Sequence, residues 1–190
     1  MIKKNALRAL LVFFIHQFTF TQSGWFWLNP LPQGNFLNSV SYVNNSIVYV
    51  SGAGGTLMKS TNGGFDFAVI PTGLRDNLSM YFINELTGFS PSGSGLLRTA
   101  NGGTYWQYFQ IPSDYETGGM KYIPNSTLFV LKNFYYGAYL YKSTDLGETW
   151  NISLTSAPNT VINSFHFADQ STGYAVGRKI SFTYSKIYKT

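Results

Sequence analysis

Eight carboxylates and two histidines are the side chains of this 190-residue sequence best suited to proton transfer. Glycosidic hydrolysis needs a carboxyl pair roughly 5 Å or 6.5–9.5 Å apart across a cleft. The acids do not announce such a pair. Asp145 and Asp169 fall at turn positions, Asp66 and Glu148 lie inside a recurring turn element, and Asp76, Glu85, Asp114 and Glu116 sit on loops without distinctive context. His16 belongs to the N-terminal stretch, and His166, on an expected strand, reads as a packed or edge side chain. With no cysteine, disulfides and thiolate metal sites are excluded, and one further histidine does not make a transition-metal site. Phosphate loops, nucleophile elbows and dinucleotide fingerprints are all missing. No catalytic residue, cofactor or metal ligand is therefore assigned.

The basic residues are more orderly. The net charge of +5 includes Lys3, Lys4 and Arg8, and no basic run or recognition helix supports a nucleic-acid partner. Lys59, Arg98, Lys142 and Lys189, however, recur at one position of a repeat. Such a row either covers a hydrophobic strand edge with long stems or forms a repeated cationic feature for an acidic protein or polymer.

The elements that position this row are themselves repeated. Ser60-Thr-Asn-Gly-Gly64-Phe-Asp-Phe67, Thr99-Ala-Asn-Gly-Gly103-Thr-Tyr-Trp106 and Ser143-Thr-Asp-Leu-Gly147-Glu-Thr-Trp150 align, with starts 39 and 44 residues apart. Upstream, Tyr42-Val-Asn-Asn, Phe82-Ile-Asn-Glu, Tyr122-Ile-Pro-Asn and Phe167-Ala-Asp-Gln recur at 40, 40 and 45 residues. A third element follows in the same order: Ile47-Val-Tyr-Val-Ser-Gly52, Gly88-Phe-Ser-Pro-Ser-Gly93, Leu128-Phe-Val-Leu and Gly173-Tyr-Ala-Val-Gly177.

Each unit resolves into four short strands between Asn-, Gly- and Ser-rich turns; in the first these are expected near 39–43, 47–51, 56–60 and 66–70. Aromatics at 18% and charged residues at only 11%, against about 25% in an average domain, suit an all-β chain. Four strands in each 40 to 45 residues is the period of a β-propeller blade, which buries its faces only by stacking on neighbours. In the eight-residue element the third residue (Asn62, Asn101, Asp145) is expected to accept backbone N–H bonds of its own turn. The glycine (Gly64, Gly103, Gly147) permits positive φ, and Trp106 or Trp150 packs back over the turn. Ser60, Thr99, Ser143 and Thr149 complete the motif.

These residues resemble the Asp-box, or bacterial neuraminidase repeat. The longer pattern, with Gly173-Tyr-Ala-Val-Gly177 and Tyr188-Lys-Thr190, is similar to repeats of the photosystem II assembly and stability factors and their secreted bacterial relatives. Trp25-Phe-Trp-Leu-Asn-Pro-Leu-Pro-Gln-Gly34 resembles the opening of secreted members. The resemblance covers about residues 25–190 and implies a non-catalytic scaffold binding a protein or surface polymer. A carbohydrate-active enzyme, sialidase-like or another glycoside hydrolase, or its accessory module, is the alternative. A sialidase of this type clamps a carboxylate with three arginines beside a Tyr–Glu pair and an Asp acid/base. Here Arg75, Arg98 and Arg178 are the arginines beyond residue 22, no Arg-Ile-Pro element occurs, and Arg98 abuts a box.

Lys3, Lys4 and Arg8 followed by Ala9–Ile15 read as a signal peptide ending near residue 22, too short for a membrane span of about 20 residues. Residues 23–190 are then an extracytoplasmic propeller with blades of about 37–73, 74–113, 114–158 and an incomplete 159–190. The segment 25–32 is a candidate closing outer strand, and the expectation is a partial or truncated propeller. The sequons at Asn44, Asn77, Asn125 and Asn151 follow from an Asn-, Ser- and Thr-rich composition.

Overall fold

The computed structural model describes residues 24, 34–75, 79–115, 117–180 and 184–190. The expected signal peptide, the candidate closing strand 25–32, Asp76, Asn77 and Glu116 lie outside the described residues. Among the described residues, fifteen strands follow one another in four antiparallel meanders. The first sheet holds β1 (Leu37–Tyr42), β2 (Val48–Gly52), β3 (Leu57–Ser60) and β4 (Ala68–Val69). The second holds β5 (Tyr81–Phe82), β6 (Gly88–Ser92), β7 (Gly95–Thr99) and β8 (Gln107–Gln110). The third holds β9 (Thr117–Ile123), β10 (Thr127–Phe134), β11 (Gly137–Ser143) and β12 (Asn151–Thr155). The fourth has three strands, β13 (Thr160–Phe167), β14 (Gly173–Lys179) and β15 (Ser185–Lys189).

The first sheet's strands lie within two residues of their expected places, because Asn and Gly turns set where pairing stops. A single 3-10 turn, Ala53–Gly55, joins β2 to β3. Among the described residues no helix is long and apolar enough to cross a membrane.

The core lies between sheets. Tyr49 and Leu57 of the first sheet cluster with Met80, Phe82, Leu97 and Trp106 of the second. Phe89, Leu96 and Ile111 cluster with Leu128, Val130, Tyr141 and Trp150 of the third. Phe129, Leu131 and Leu140 cluster with Ile162, Phe167 and Ala175 of the fourth. Each fully buried Phe or Leu contributes about 1.5–3 kcal/mol, so stacking of neighbours, rather than any lone sheet, supplies the stability.

Candidate functional site

The recurring eight-residue turns, called boxes below for brevity, show what the repeated residues do. The third residue accepts as expected: Asn62 Oδ1 from Asp66 N–H at 3.0 Å, Asn101 Oδ1 from Tyr105 N–H at 3.0 Å, and Asp145 Oδ1 from Thr149 N–H at 2.9 Å. The first residue is a second hub that sequence reasoning missed. Ser60, Thr99 and Ser143 each accept from the glycine N–H, at 2.8, 3.0 and 2.8 Å. Each also donates to the third residue's side chain, at 2.9, 3.0 and 2.7 Å. Trp106 and Trp150 donate from Nε1 to the carbonyls of Gly103 and Gly147, at 2.8 and 3.0 Å. Burial pushes the Asp145 carboxyl up, but bonds from Thr149 and Ser143 outweigh it and hold it down at about 2. Thr149 Oγ1 is one of those donors.

A second acid is engaged in a hairpin turn. Asp169 accepts from the N–H groups of Ser171 and Thr172, both at 2.7 Å, and these bonds lower its carboxyl to about 2. Asn44 and Asn84 hold the matching turns of the first two sheets in the same way. The third sheet has Pro124 there, and its turn is made instead by Asn125 and Ser126 at φ 70° and 64°.

The basic row is used within the fold. Lys59 Nζ donates to Glu85 of the second sheet at 2.7 Å. Arg98 donates to the Leu146 carbonyl at 3.1 Å and to Glu148 at 3.0 Å, both in the third sheet's box, and lies 4.3 Å over the Phe109 ring. Lys142 Nζ donates to the Gln170 carbonyl of the fourth sheet at 2.6 Å. These three brace one sheet to the next. Lys189 differs, with its ammonium 5.9 Å from the Tyr174 ring centroid.

Two clefts open along the first strands of successive sheets. One, of about 350 Å³, is lined by Ser39, Val40, Ser79–Tyr81, Pro91 and Thr117–Met120. The other, of about 190 Å³, shares Gly118–Met120 and adds Lys121, Leu131 and Asn163–Phe165. Hydroxyls and glycine main chain alternate in these walls with apolar side chains such as Val40, Met80, Tyr81, Met120 and Phe165. Their lining contains no carboxylate, and the described residues hold no cluster of His, Asp or Glu suited to a metal ion. The surface offers hydrogen-bond partners and apolar contacts to an extended guest.

One buried charge was not legible in the sequence. Lys132 on β10 is fully buried, and its Nζ donates to the Ser94 carbonyl at 2.8 Å, the Tyr115 carbonyl at 2.9 Å and Thr117 Oγ1 at 2.8 Å. Buried ammoniums persist only when such acceptors replace water, so Lys132 ties the second sheet's β6–β7 turn to the third sheet.

No family model matches the chain, and no curated protein matches it in sequence. Solved structures do match in fold. YCF48 bound to D1 peptide superposes with a TM-score of 0.60 at 15% identity, over 84% of this chain and 56% of that one. A GH74 xyloglucanase from Xanthomonas campestris gives 0.60 at 12% identity, over 80% of this chain and 29% of that one. The computationally designed Ika4 protein gives 0.58 at 11% identity, over 87% and 98%. The chain thus spans about half of the YCF48 chain and under a third of the xyloglucanase. Four meandering sheets with their cores between them, matched by these structures, make the chain a β-propeller repeat protein whose described blades form part of a propeller.

Proposed function

We propose that this chain is an exported, non-catalytic scaffold that holds an extended segment of a partner protein in the clefts along its first strands. The observation that carries the reading is the cleft lining itself, which presents hydroxyls, glycine backbone and Lys121 along β9. A lining that mixes hydroxyls and glycine backbone with apolar side chains suits an extended peptide segment, and Lys121 favours an acidic guest. The acids meanwhile serve the fold: Asp66, Glu85, Asp145, Glu148 and Asp169 all have partners within it. The likeness to a propeller bound to a peptide supports the same direction. The GH74 likeness favours a hydrolytic reading only through the shared architecture, and one propeller hosts many functions.

The test is capture of partners from the extracytoplasmic fraction by the parent, Gly119→Trp and Lys121→Glu. An added Cβ at Gly119 makes only an ordinary contact, with Phe165 at 3.6 Å, so the backbone there accepts a side chain at the cleft wall. Loss of the same partner from both variants, with unchanged melting, supports the proposal, and equal recovery by all three overturns it. Intact-mass measurement should show loss of about 20–24 residues on export. Retention of the full N-terminus with membrane association would remove the export part. Incubation with xyloglucan should release no reducing sugar, and turnover would establish the enzymatic reading instead.

A further inference from the structure

The joint between successive blades is built from the same parts three times. Register places an aromatic on each sheet's second strand opposite a cation on its third: Tyr49 and Lys59, Phe89 and Arg98, Phe129 and Lys142, Tyr174 and Lys189. Across the joint, the aromatic at the end of the next sheet's first strand, one residue before the end on β9, lies against it. Phe82 stacks on Tyr49 at 3.7 Å, Tyr122 lies 6.4 Å from Phe89, and Phe167 stacks on Phe129 at 3.7 Å. The cation then reaches a turn of that next sheet, at Glu85, Leu146 with Glu148, or Gln170. Beside each pair a leucine completes the seal. Leu57 and Leu96 lie so close to box glycines Gly103 and Gly147 that an added Cβ would meet them at 2.3 and 2.8 Å.

Among the described residues, both halves of this joint are exposed on the first and fourth sheets. On the fourth sheet Tyr174 is 50% exposed and Ile187, which occupies the place of Leu57, Leu96 and Leu140, is 75% exposed; their counterparts are all buried. On the first sheet Tyr42 is 64% and Val40 69% exposed, whereas Phe82 and Met80, at the same places in the second sheet, are buried. Asn45 stands three residues after Tyr42, as Glu85 and Gln170 stand after Phe82 and Phe167.

We propose that the fourth sheet of one copy docks on the first sheet of a second copy, repeating the internal joint. Tyr174 meets the second copy's Tyr42, Ile187 seats beside its Gly64, and Lys189 reaches the turn at Asn45. The contact is head-to-tail, so two copies close a ring if the rotation allows and grow further if it does not. It concerns the outer faces of the first and fourth sheets, and Val40 is the one residue it shares with the cleft lining.

The experiment is light scattering on the size-fractionated chain across a low- to high-micromolar series, with Tyr42→Glu and Tyr174→Glu. The parent should run as two or more copies. Each variant alone should be monomeric, with self-association weakened by roughly tenfold or more. An equimolar mixture of the two should give a dimer, since one joint then joins two unaltered faces. A monomeric parent, a single variant that assembles like the parent, or a mixture that stays monomeric would each overturn the proposal. Circular dichroism and melting confirm folding, and Ile187→Asp stands in for Tyr174→Glu should that variant unfold.

Discussion

Asp145 illustrates how one side chain serves the fold. Its carboxylate takes the Thr149 N–H and hydroxyl and the Ser143 hydroxyl, which together close the third box. Asp145→Ala should lower stability by about 1–2 kcal/mol, as loss of a turn-capping acceptor does, measured by urea unfolding. A pH series checks the same bonds. The folded carboxyl is depressed to about 2, below its ordinary value near 4, so its contribution is complete above that ordinary value. It fades as pH falls from about 4 through about 2. Parent and Asp145→Ala melting curves should converge on acidification, and a gap at pH 2 as large as at pH 7 would disprove this account. Asp169, depressed by the N–H groups of Ser171 and Thr172, adds to the same acid lability of the parent.

Among the elements, the box turn is both a closure and a docking surface. Gly147 has φ 93°, a conformation that costs an L-residue energy, and an added Cβ there would sit 2.8 Å from Leu96 of the preceding sheet. Gly147→Ala should cost about 2–3 kcal/mol from strain and crowding together. Gly73→Ala is the control, since Gly73 has φ 70° with nothing within 4 Å and should carry the backbone cost alone, about 1 kcal/mol. Equal melting of the two variants would mean that the contact with Leu96 contributes nothing. The basic row belongs to this scale as well. Reversing Lys59, Arg98 and Lys142 together would break three bridges between sheets, so partner loss in such a variant would not separate binding from stability.

For the whole molecule, sheets that contact only their neighbours should not all open together. The third sheet is covered on both sides, and β10 is buried over most of its length, whereas β15 and much of β1 are exposed. Hydrogen exchange should therefore be slowest in β10 and β11 and fastest in β1 and β15, with intermediate protection in β6 and β7. Uniform protection across all four sheets would indicate a single cooperative unit. In the assembled form proposed above, protection of β1 and β15 should rise with concentration.

The sequence by itself determined the repeat, the four-sheet architecture and most of each box, because turn chemistry acts within eight residues. Asn62, Asn101 and Asp145 need only their own turn to show what they bind, and glycine at position five is required by the local φ. The hydroxyls of Ser60, Thr99 and Ser143 were visible as repeated residues, but their double role needed coordinates. Tertiary structure alone decided where the cations go. Lys59 and Glu85 are 26 residues apart and Arg98 and Glu148 are 50 apart, distances over which no local pattern constrains pairing. Lys132 made the same point more sharply, since a lysine within a strand ordinarily reads as exposed, and only packing of the second sheet against the third supplies the carbonyls that bury it. The clefts, too, arise where first strands of different sheets come together, so their walls are a property of stacking and not of any one repeat.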